Sequence, residues 1–328
     1  MRTRFTIPFL SIISVLFITV FLNGCGQSSN NPNDRKNDPL KGKITISGAF
    51  ALYPLTVKWG EEFRKIHPNV TINISAGGAG KGMADALSRM VDLGMYSKEV
   101  SPEEKAKGAW SIAVARDAVL PTINSANPVL KELKAHGLTR EKLSSVFLSG
   151  EVKTWGNLTG TKNNVAVQPF TRSDACGASE MWAKYLGKKK QEDLLGLGVN
   201  GDPGVADAVR KNPSGIGYNN LNFIYDMQTR KVYSGLEVVP IDINENGIID
   251  PDENFYANLD EVMKAIKGGI YPSPPARDLY FVAAGKPVNK TVLVFLQWVM
   301  TEGQKYLTEA GYVTVSDEKL KDGMAQVK

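Results

Sequence analysis

One arginine set between a strand and a helix constrains this chain more than any other feature. Val165-Ala166-Val167-Gln168-Pro169-Phe170 alternates as a strand does, and Met181, Trp182, Tyr185 and Leu186 recur at helical spacing. Between them lies Thr171-Arg172-Ser173-Asp174-Ala175-Cys176-Gly177-Ala178-Ser179, mostly small residues around one guanidinium. A helix starting here leaves its first N–H groups unpaired and carries partial positive charge at that end, which suits an anion. Arg172 adds a planar fork of donors, and Asp174 is close enough to orient it. Read alone, the stretch is compatible with an oxyanion cradle or with an ordinary turn carrying a surface Arg–Asp pair.

The rest of the chain repeats the strand–turn–helix pattern. Ile44-Thr45-Ile46-Ser47 reads as a strand, and Leu55, Trp59 and Phe63 mark an amphipathic helix from Leu55 to Ile66. Val70 to Ser75 is a second strand, followed by Gly77-Gly78-Ala79-Gly80-Lys81-Gly82 and a helix from Met83 to Arg89. A nucleotide-type phosphate loop is excluded there. Gly82 follows Lys81 where Ser or Thr is required, and Ser75 occupies the place of the first glycine. Val91 to Ser97 supplies a third strand and turn. Three corners, Ala51–Tyr53, Gly78–Gly82 and Gly177–Ser179, thus offer backbone N–H groups, and ligands of open α/β sheets bind at the carboxyl ends of strands. Their convergence on a small anion is the expectation.

Composition sets the compartment. A basic start, Met1-Arg2-Thr3-Arg4, precedes an apolar run from Phe5 to Leu22 that ends in Leu22-Asn23-Gly24-Cys25. This reads as a lipoprotein leader over 1–24, with Cys25 acylated, then a polar tether over 25–42. A membrane-spanning helix is the competing reading of the same run. The chain has 39 basic and 34 acidic residues, and without Arg2 and Arg4 the excess is three. That balance, with no basic–aromatic cluster, argues against nucleic acid. Cys25 and Cys176 are the two cysteines, so a lipidated Cys25 leaves Cys176 as a lone thiol.

Several segments together resemble a known family. Ser47-Gly48-Ala49-Phe50-Ala51-Leu52-Tyr53-Pro54-Leu55, Val91-Asp92-Leu93-Gly94-Met95-Tyr96-Ser97-Lys98 and Thr171-Arg172-Ser173-Asp174 are similar to the signature turns of phosphate-binding proteins of bacterial ABC uptake systems. Asn127-Pro128, Phe147-Leu148-Ser149-Gly150, Gly201-Asp202-Pro203-Gly204-Val205 and Gly215-Ile216-Gly217-Tyr218 continue the likeness in the family's order. The resemblance implies an α/β, two-lobed type II periplasmic-binding-protein fold with a ligand cleft between the lobes and two crossover segments. It places lobe 1 at 43–116 plus 274–328 and lobe 2 at 117–273. The ligand would be phosphate or a related tetrahedral oxyanion, delivered to the transmembrane subunits of an ABC permease. The protein would face the periplasm or the cell exterior, held to the membrane by lipid on Cys25.

By the same resemblance the ligand set is Leu52, Tyr53, Ala79, Gly80, Ser97, Arg172, Asp174, Cys176, Gly177 and Ala178. Where the family carries hydroxyls after its arginine, this chain has Ala175, Cys176, Gly177 and Ala178, and Leu52 and Ala79 lack them too. Each missing hydrogen bond to a charged ligand removes about 1.5–3 kcal/mol, so affinity for phosphate is expected to be reduced. Asp174 is the expected acceptor for a protonated ligand. Tyr218-Asn219-Asn220 either lines the cleft or holds a buried tyrosine. Replacing Arg172 by alanine is expected to weaken anion binding with little change in folding.

One insertion, 242–253, carries its own chemistry. Asp242-Ile243-Asn244-Glu245-Asn246-Gly247-Ile248-Ile249-Asp250-Pro251-Asp252-Glu253 fits the calcium-loop template D-x-[DN]-x-[DN]-G-x5-E. Asp242, Asn244, Asn246, Asp250 and Glu253 would offer side-chain oxygens, Ile248 its carbonyl, and Gly247 the sharp turn. A structural Ca2+ is expected, with an acidic surface hairpin as the alternative.

Two other functions are weighed against transport. Cys176, at a helix N-terminus beside Arg172, has the setting of a nucleophile. Yet His67 and His136, the two histidines, lie in peripheral helical contexts without the neighbours of a general base, so an enzyme is not expected. The other alternative is an envelope interaction module that keeps the fold and has lost tight small-anion binding.

Overall fold

Alternating apolar residues pair the first strands. The computed structural model describes residues 40–328, so the leader, Cys25 and most of the tether lie outside the described residues. β1 (Gly42–Gly48), β2 (Val70–Ala76) and β3 (Leu93–Tyr96) form a parallel group around β1. They are linked by α1 (Tyr53–Ile66) and α2 (Ala79–Leu87). α2 begins four residues earlier than the pattern suggested. Glycines read as turn residues serve a helix here, since a Cβ on Gly82 would lie 2.5 Å from Met95 O and 2.9 Å from Gly48 Cα. Without it α2 could not seat on β1 and β3.

A short α3 (Pro102–Ala106), held by a Ser101–Glu104 capping box, leads into the 16-residue β4 (Ala109–Asn124). Next come α4 (Leu130–His136), α5 (Arg140–Phe147), α6 (Trp155–Thr159), β5 (Gln168–Arg172) and α7 (Gly177–Gly187). β6 (Leu197–Val199), α8 (Gly201–Lys211), β7 (Gly215–Asn220), β8 (Leu236–Val238) and α9 (Leu259–Lys267) complete that part. The chain returns through β9 (Ala276–Ala284) and ends in α10 (Lys290–Met300) and α11 (Asp317–Val327). The strands run β2-β1-β3-β9-β4-β7-β5-β6, with β8 on β4. None of the described helices is long and apolar enough to cross a membrane.

Besides a small apolar core around Phe170, Val205, Val209 and Leu236, two large ones pack against this sheet. One packs Trp59, Phe63, Phe281 and Phe295, and its last residue on β4 is Ala115 and its first on β9 is Leu279. The other packs Phe147, Trp155, Trp182 and Tyr218, and meets the same two strands at Ala118 and Ala276. Between the cores, both crossover strands carry charge, as Ala115-Arg116-Asp117-Ala118 and Ala276-Arg277-Asp278-Leu279. The antiparallel register sets Arg116 opposite Asp278 and Asp117 opposite Arg277.

Candidate functional site

Four helix N-termini meet at the cleft, and their sequences leave them open. α1, α2 and α8 start after Leu52, Gly78 and Asn200, none of which caps its helix with a side chain. α7 has only the Cys176 thiol, which accepts from Ser179 N at 3.4 Å. By contrast, Ser101, Thr139, Thr154, Asn258, Asn289 and Ser316 cap α3, α5, α6, α9, α10 and α11, and α4 is the one other uncapped helix described. Side-chain caps are worth about 1 kcal/mol each. Their omission leaves positive dipole ends facing a common region, with Gly201 N–H taken by Asp174 Oδ1 and Gly80 N–H by Ala175 O.

Contacts across the cleft show that these ends converge. Gly80 N donates to Ala175 O at 3.0 Å. A Cβ on Gly177 would fall inside the contact shell of Ser97 O and lie 2.5 Å from Ser97 Oγ. The Phe50 ring, one residue before the first corner, lies with its centroid 5.3 Å from the Arg172 guanidinium carbon. The first two expected corners therefore face the third, which belongs to the arginine turn itself, and Ser97 faces it too.

The turn itself is fixed from below. The buried Tyr218 hydroxyl sits 2.5 Å from Thr171 Oγ1 and 2.7 Å from Ser179 Oγ, and accepts from Arg172 N at 3.3 Å. Trp182 stacks on the Tyr218 ring. Tyr218 is thus a buried clamp of the arginine turn. Asn219 and Asn220 belong to the same buried layer, Asn219 donating to Asp202 O and the Asn220 N–H to Asp202 Oδ1.

Arg172 directs three of its five N–H donors at protein carboxylates. Nε donates to Asp174 Oδ1 at 2.7 Å and Nη2 to Oδ2 at 2.5 Å, while Nη1 donates to Asp202 Oδ2. Its side chain is 1% exposed. Burial opposes its charge, but Asp202, with Asp174 also contributing, holds its pKa above the ordinary guanidinium value. Asp174 is committed as well. Burial raises its pKa, yet hydrogen bonds and charge from Arg172, aided by the Gly201 N–H at 2.9 Å, hold it below the usual carboxylate value. The expected acceptor for a protonated ligand is therefore not free, and Asp202 is a site residue that the pattern did not single out.

The other expected ligand residues divide. Ser97 is buried at the cleft, and Gly177 and Ala178 occupy the first positions of α7, where no helical acceptor exists for their N–H groups. Gly80 is a correction, since its N–H is committed to Ala175 O. Leu52 and Tyr53 donate in turns to Ala49 O (3.2 Å) and Phe50 O (3.3 Å), and Ala79 is buried at the start of α2. Two unexpected residues lie on the cleft floor. Arg277 Nε donates to Ser97 O at 3.4 Å and its Nη2 donates to Asn220 Oδ1, with Asp117 beside it.

Cys176 is buried, and desolvation pushes its thiol pKa up despite the pull of Arg172. Native protein is expected to react with iodoacetamide at least tenfold more slowly than urea-unfolded protein. Equal rates would show an activated, accessible thiol.

The calcium-loop residues fold inward on themselves. Asp242 accepts from the N–H groups of Asn246 (3.2 Å) and Gly247 (2.9 Å), and Glu253 from those of Ile243 (2.8 Å) and Asn244 (3.0 Å). Asn244 and Asn246 each donate to Asp250 Oδ2 at 2.8 Å, and Gly247 has φ of +88°. The side chains of Asn244, Asn246 and Asp250 are thereby linked and those of Asp242 and Glu253 bind loop N–H groups, whereas the Ile248 side chain is exposed. His136 Nδ1 lies 2.8 Å from Gly247 O. Among the described residues no group of three or more His, Cys, Asp or Glu side chains is placed to hold a metal ion, so any site here needs the asparagine and backbone oxygens.

Comparison with known proteins agrees with this architecture. Residues 33–302 match a family model described as the PBP superfamily domain. The phosphate-binding protein PstS of Staphylococcus haemolyticus is 26% identical over 324 residues, covering 96% of this chain and 95% of that protein. The Staphylococcus epidermidis PstS is 25% identical, with 96% and 91% covered. Among solved structures, a Clostridium perfringens protein, provisionally assigned as a phosphate ABC transporter substrate-binding protein and solved with bound phosphate, superposes with a TM-score of 0.68. It is 20% identical and covers 84% of this chain and all of that one. An ABC-type phosphate transport receptor from Vibrio cholerae gives 0.59 at 18% identity, again covering 84% of this chain and all of that one.

Proposed function

The chain belongs to the PBP superfamily, and on that footing we propose that it captures phosphate or a closely related tetrahedral oxyanion for an ABC permease. The observation that carries this reading is the meeting at Arg172 of helix N-termini from both lobes whose own N-cap residues offer no oxygen cap. Such ends favour compact anions without a matching cation on the ligand. The PstS relatives, named for phosphate binding, support the choice of anion. The protein acts as a binding protein rather than an enzyme, is exported, and is held to the membrane by lipid on Cys25. It has no nucleic-acid partner.

A second reading, an envelope interaction module without tight anion binding, is favoured by one observation. Asp174 and Asp202 balance the charge of Arg172, and Phe50 covers its face. Tryptophan fluorescence titrated with phosphate, sulfate, molybdate and tungstate separates the two. A saturable micromolar or tighter response to one of them supports capture; no response to any supports the module.

We also propose that loop 242–253 binds Ca2+ in a structural role. The template spacing supports it, as do the Asn244–Asp250 and Asn246–Asp250 side-chain bonds and the turn of Asp242 and Glu253 onto the loop's own N–H groups. Calorimetry with CaCl2 is expected to show one site in the wild type and at least a tenfold loss in Glu253→Gln, with anion binding retained. Equal, negligible heats for both proteins would remove the metal.

A further inference from the structure

The two crossover strands carry the same Ala-Arg-Asp sequence, and the register makes them a matched pair of ion pairs. On one face Arg116 Nη1 reaches Asp278 Oδ1 at 3.1 Å. On the other, Arg277 Nη2 and Asp117 Oδ2 stand 3.9 Å apart, too far for a hydrogen bond. Asp117 Oδ2 and Arg277 Nη1 are both buried without a hydrogen-bond partner among the described residues. Directly opposed residues on an antiparallel pair lie close enough to join by side-chain rotation, and the Arg116–Asp278 bond shows that this ladder allows it. Arg277 is instead drawn away, Nε to Ser97 O and Nη2 to Asn220 Oδ1. Ser97 follows β3 of one lobe, and Asn220 ends β7 of the other.

We propose that Arg277 is a closure latch: in the closed cleft its fork ties Ser97 of one lobe to Asn220 of the other, and when the lobes part it returns to Asp117. Opening is required for entry, because the Arg172 side chain is 1% exposed and Gly80–Ala175 and Ser97–Gly177 contacts seal the cleft over it. The resting pair needs no lobe contact, since both members sit on the crossover strands. Closing therefore exchanges a satisfied ion pair for two buried orphans, and the bound anion must supply the difference. Arg277 is a positioning residue in this scheme. Its two bonds hold Ser97 and, through Asn220 and Asp202, the Arg172 fork.

Protonation of Asp117 belongs to the same exchange. In the closed form, burial pushes its carboxyl up to about 6, against the opposing charge of Arg277 and the Ala118 N–H, with Asp202 adding to the rise and the Leu221 N–H opposing it. Tyr312, the other titratable group near it, is held neutral by burial. Paired with Arg277 in the open form, the carboxylate stays ionised. Closure thus takes up a proton, and falling pH favours it.

This inference rests on the proposed anion capture, so its test has a ligand-free arm. In full-length protein, inorganic phosphate affinity is measured by calorimetry from pH 5 to 8 for wild type, Asp117→Asn and Arg277→Lys. Comparing variants at each pH cancels the titration of phosphate itself. Asp117→Asn is expected to bind about tenfold tighter than wild type at pH 8, with the ratio approaching one at pH 5. Arg277→Lys is expected to bind about tenfold weaker, because a single ammonium cannot span both lobes. Opposite signs from two neighbouring residues are not what a purely structural role gives. Without ligand, spin labels at the exposed positions Lys105 and Glu192 report the lobe separation, and Asp117→Asn should shift the distance distribution at pH 8 toward that of the phosphate-saturated wild type. Should wild type ignore phosphate, the capture reading fails, and the latch stands if Asp117→Asn narrows the label-distance distribution and falls if it does not. Weaker phosphate binding in Asp117→Asn at pH 8 would overturn the latch and make Asp117 a direct acceptor for the anion. Equal affinities and equal distances would overturn it outright.

Discussion

Arg172→Ala is expected to abolish measurable oxyanion binding and to destabilise the protein by about 3–5 kcal/mol, the range for breaking a buried ion pair by removing one partner. The sequence suggested a ligand-binding arginine whose loss would spare the fold. The structure places it 1% exposed between Asp174 and Asp202, so its removal strands Asp202, also 1% exposed, and an Asp174 whose side chain is largely buried. Arg172→Lys separates the two effects. It keeps a positive charge between the carboxylates but loses the planar fork that reaches both, so folding should largely survive while binding falls. Urea unfolding and phosphate titration measure the two outcomes. A wild-type unfolding midpoint in Arg172→Ala would contradict the buried network, and wild-type affinity would remove Arg172 from the site.

Asp202→Asn is expected to strengthen anion binding by about ten- to hundredfold while lowering stability by about 1–2 kcal/mol. Asp202 serves Asn220 N with Oδ1 and Arg172 Nη1 with Oδ2, so the amide keeps an acceptor for one of them, turns an NH2 toward the other, and removes one of the two charges that balance the guanidinium. A unit charge near 6 Å at an effective dielectric of 20 is worth about 3 kcal/mol, and relaxation reduces what reaches the ligand. The sign is the informative part. Weaker binding in Asp202→Asn would mean that the carboxylate contributes by holding Arg172 in place, not by offsetting its charge.

Much of this was legible because period and chemistry coincide. The strand at Val70–Ala76 and the helix behind Leu55, Trp59 and Phe63 follow from spacing. The corners follow from small residues placed after strands. The partners of Arg172 were harder to read, because Asp202 is thirty residues away and reaches it only once α8 docks beside β5. Asp174 was visible as a partner, but not as one with both oxygens engaged by the fork and Gly201. Arg277 and Asp117 were missed although a signal existed. The tripeptide Ala-Arg-Asp occurs at 115–117 and again at 276–278, where an apolar crossover strand had no need of charge. The helix at Ala79 began earlier than expected because Gly82 answers a close approach that only the folded sheet reveals.

The lost hydroxyls and the balanced guanidinium pull against the open helix ends, and one spectrum weighs them. Protein purified without added phosphate, then equilibrated with a single equivalent, is observed by phosphorus NMR. The account predicts a broadened, shifted resonance from one bound ion per chain, released on unfolding in urea and displaced in Arg172→Lys. A sharp line at the free-phosphate position, unchanged by wild-type protein at several equivalents, would contradict it.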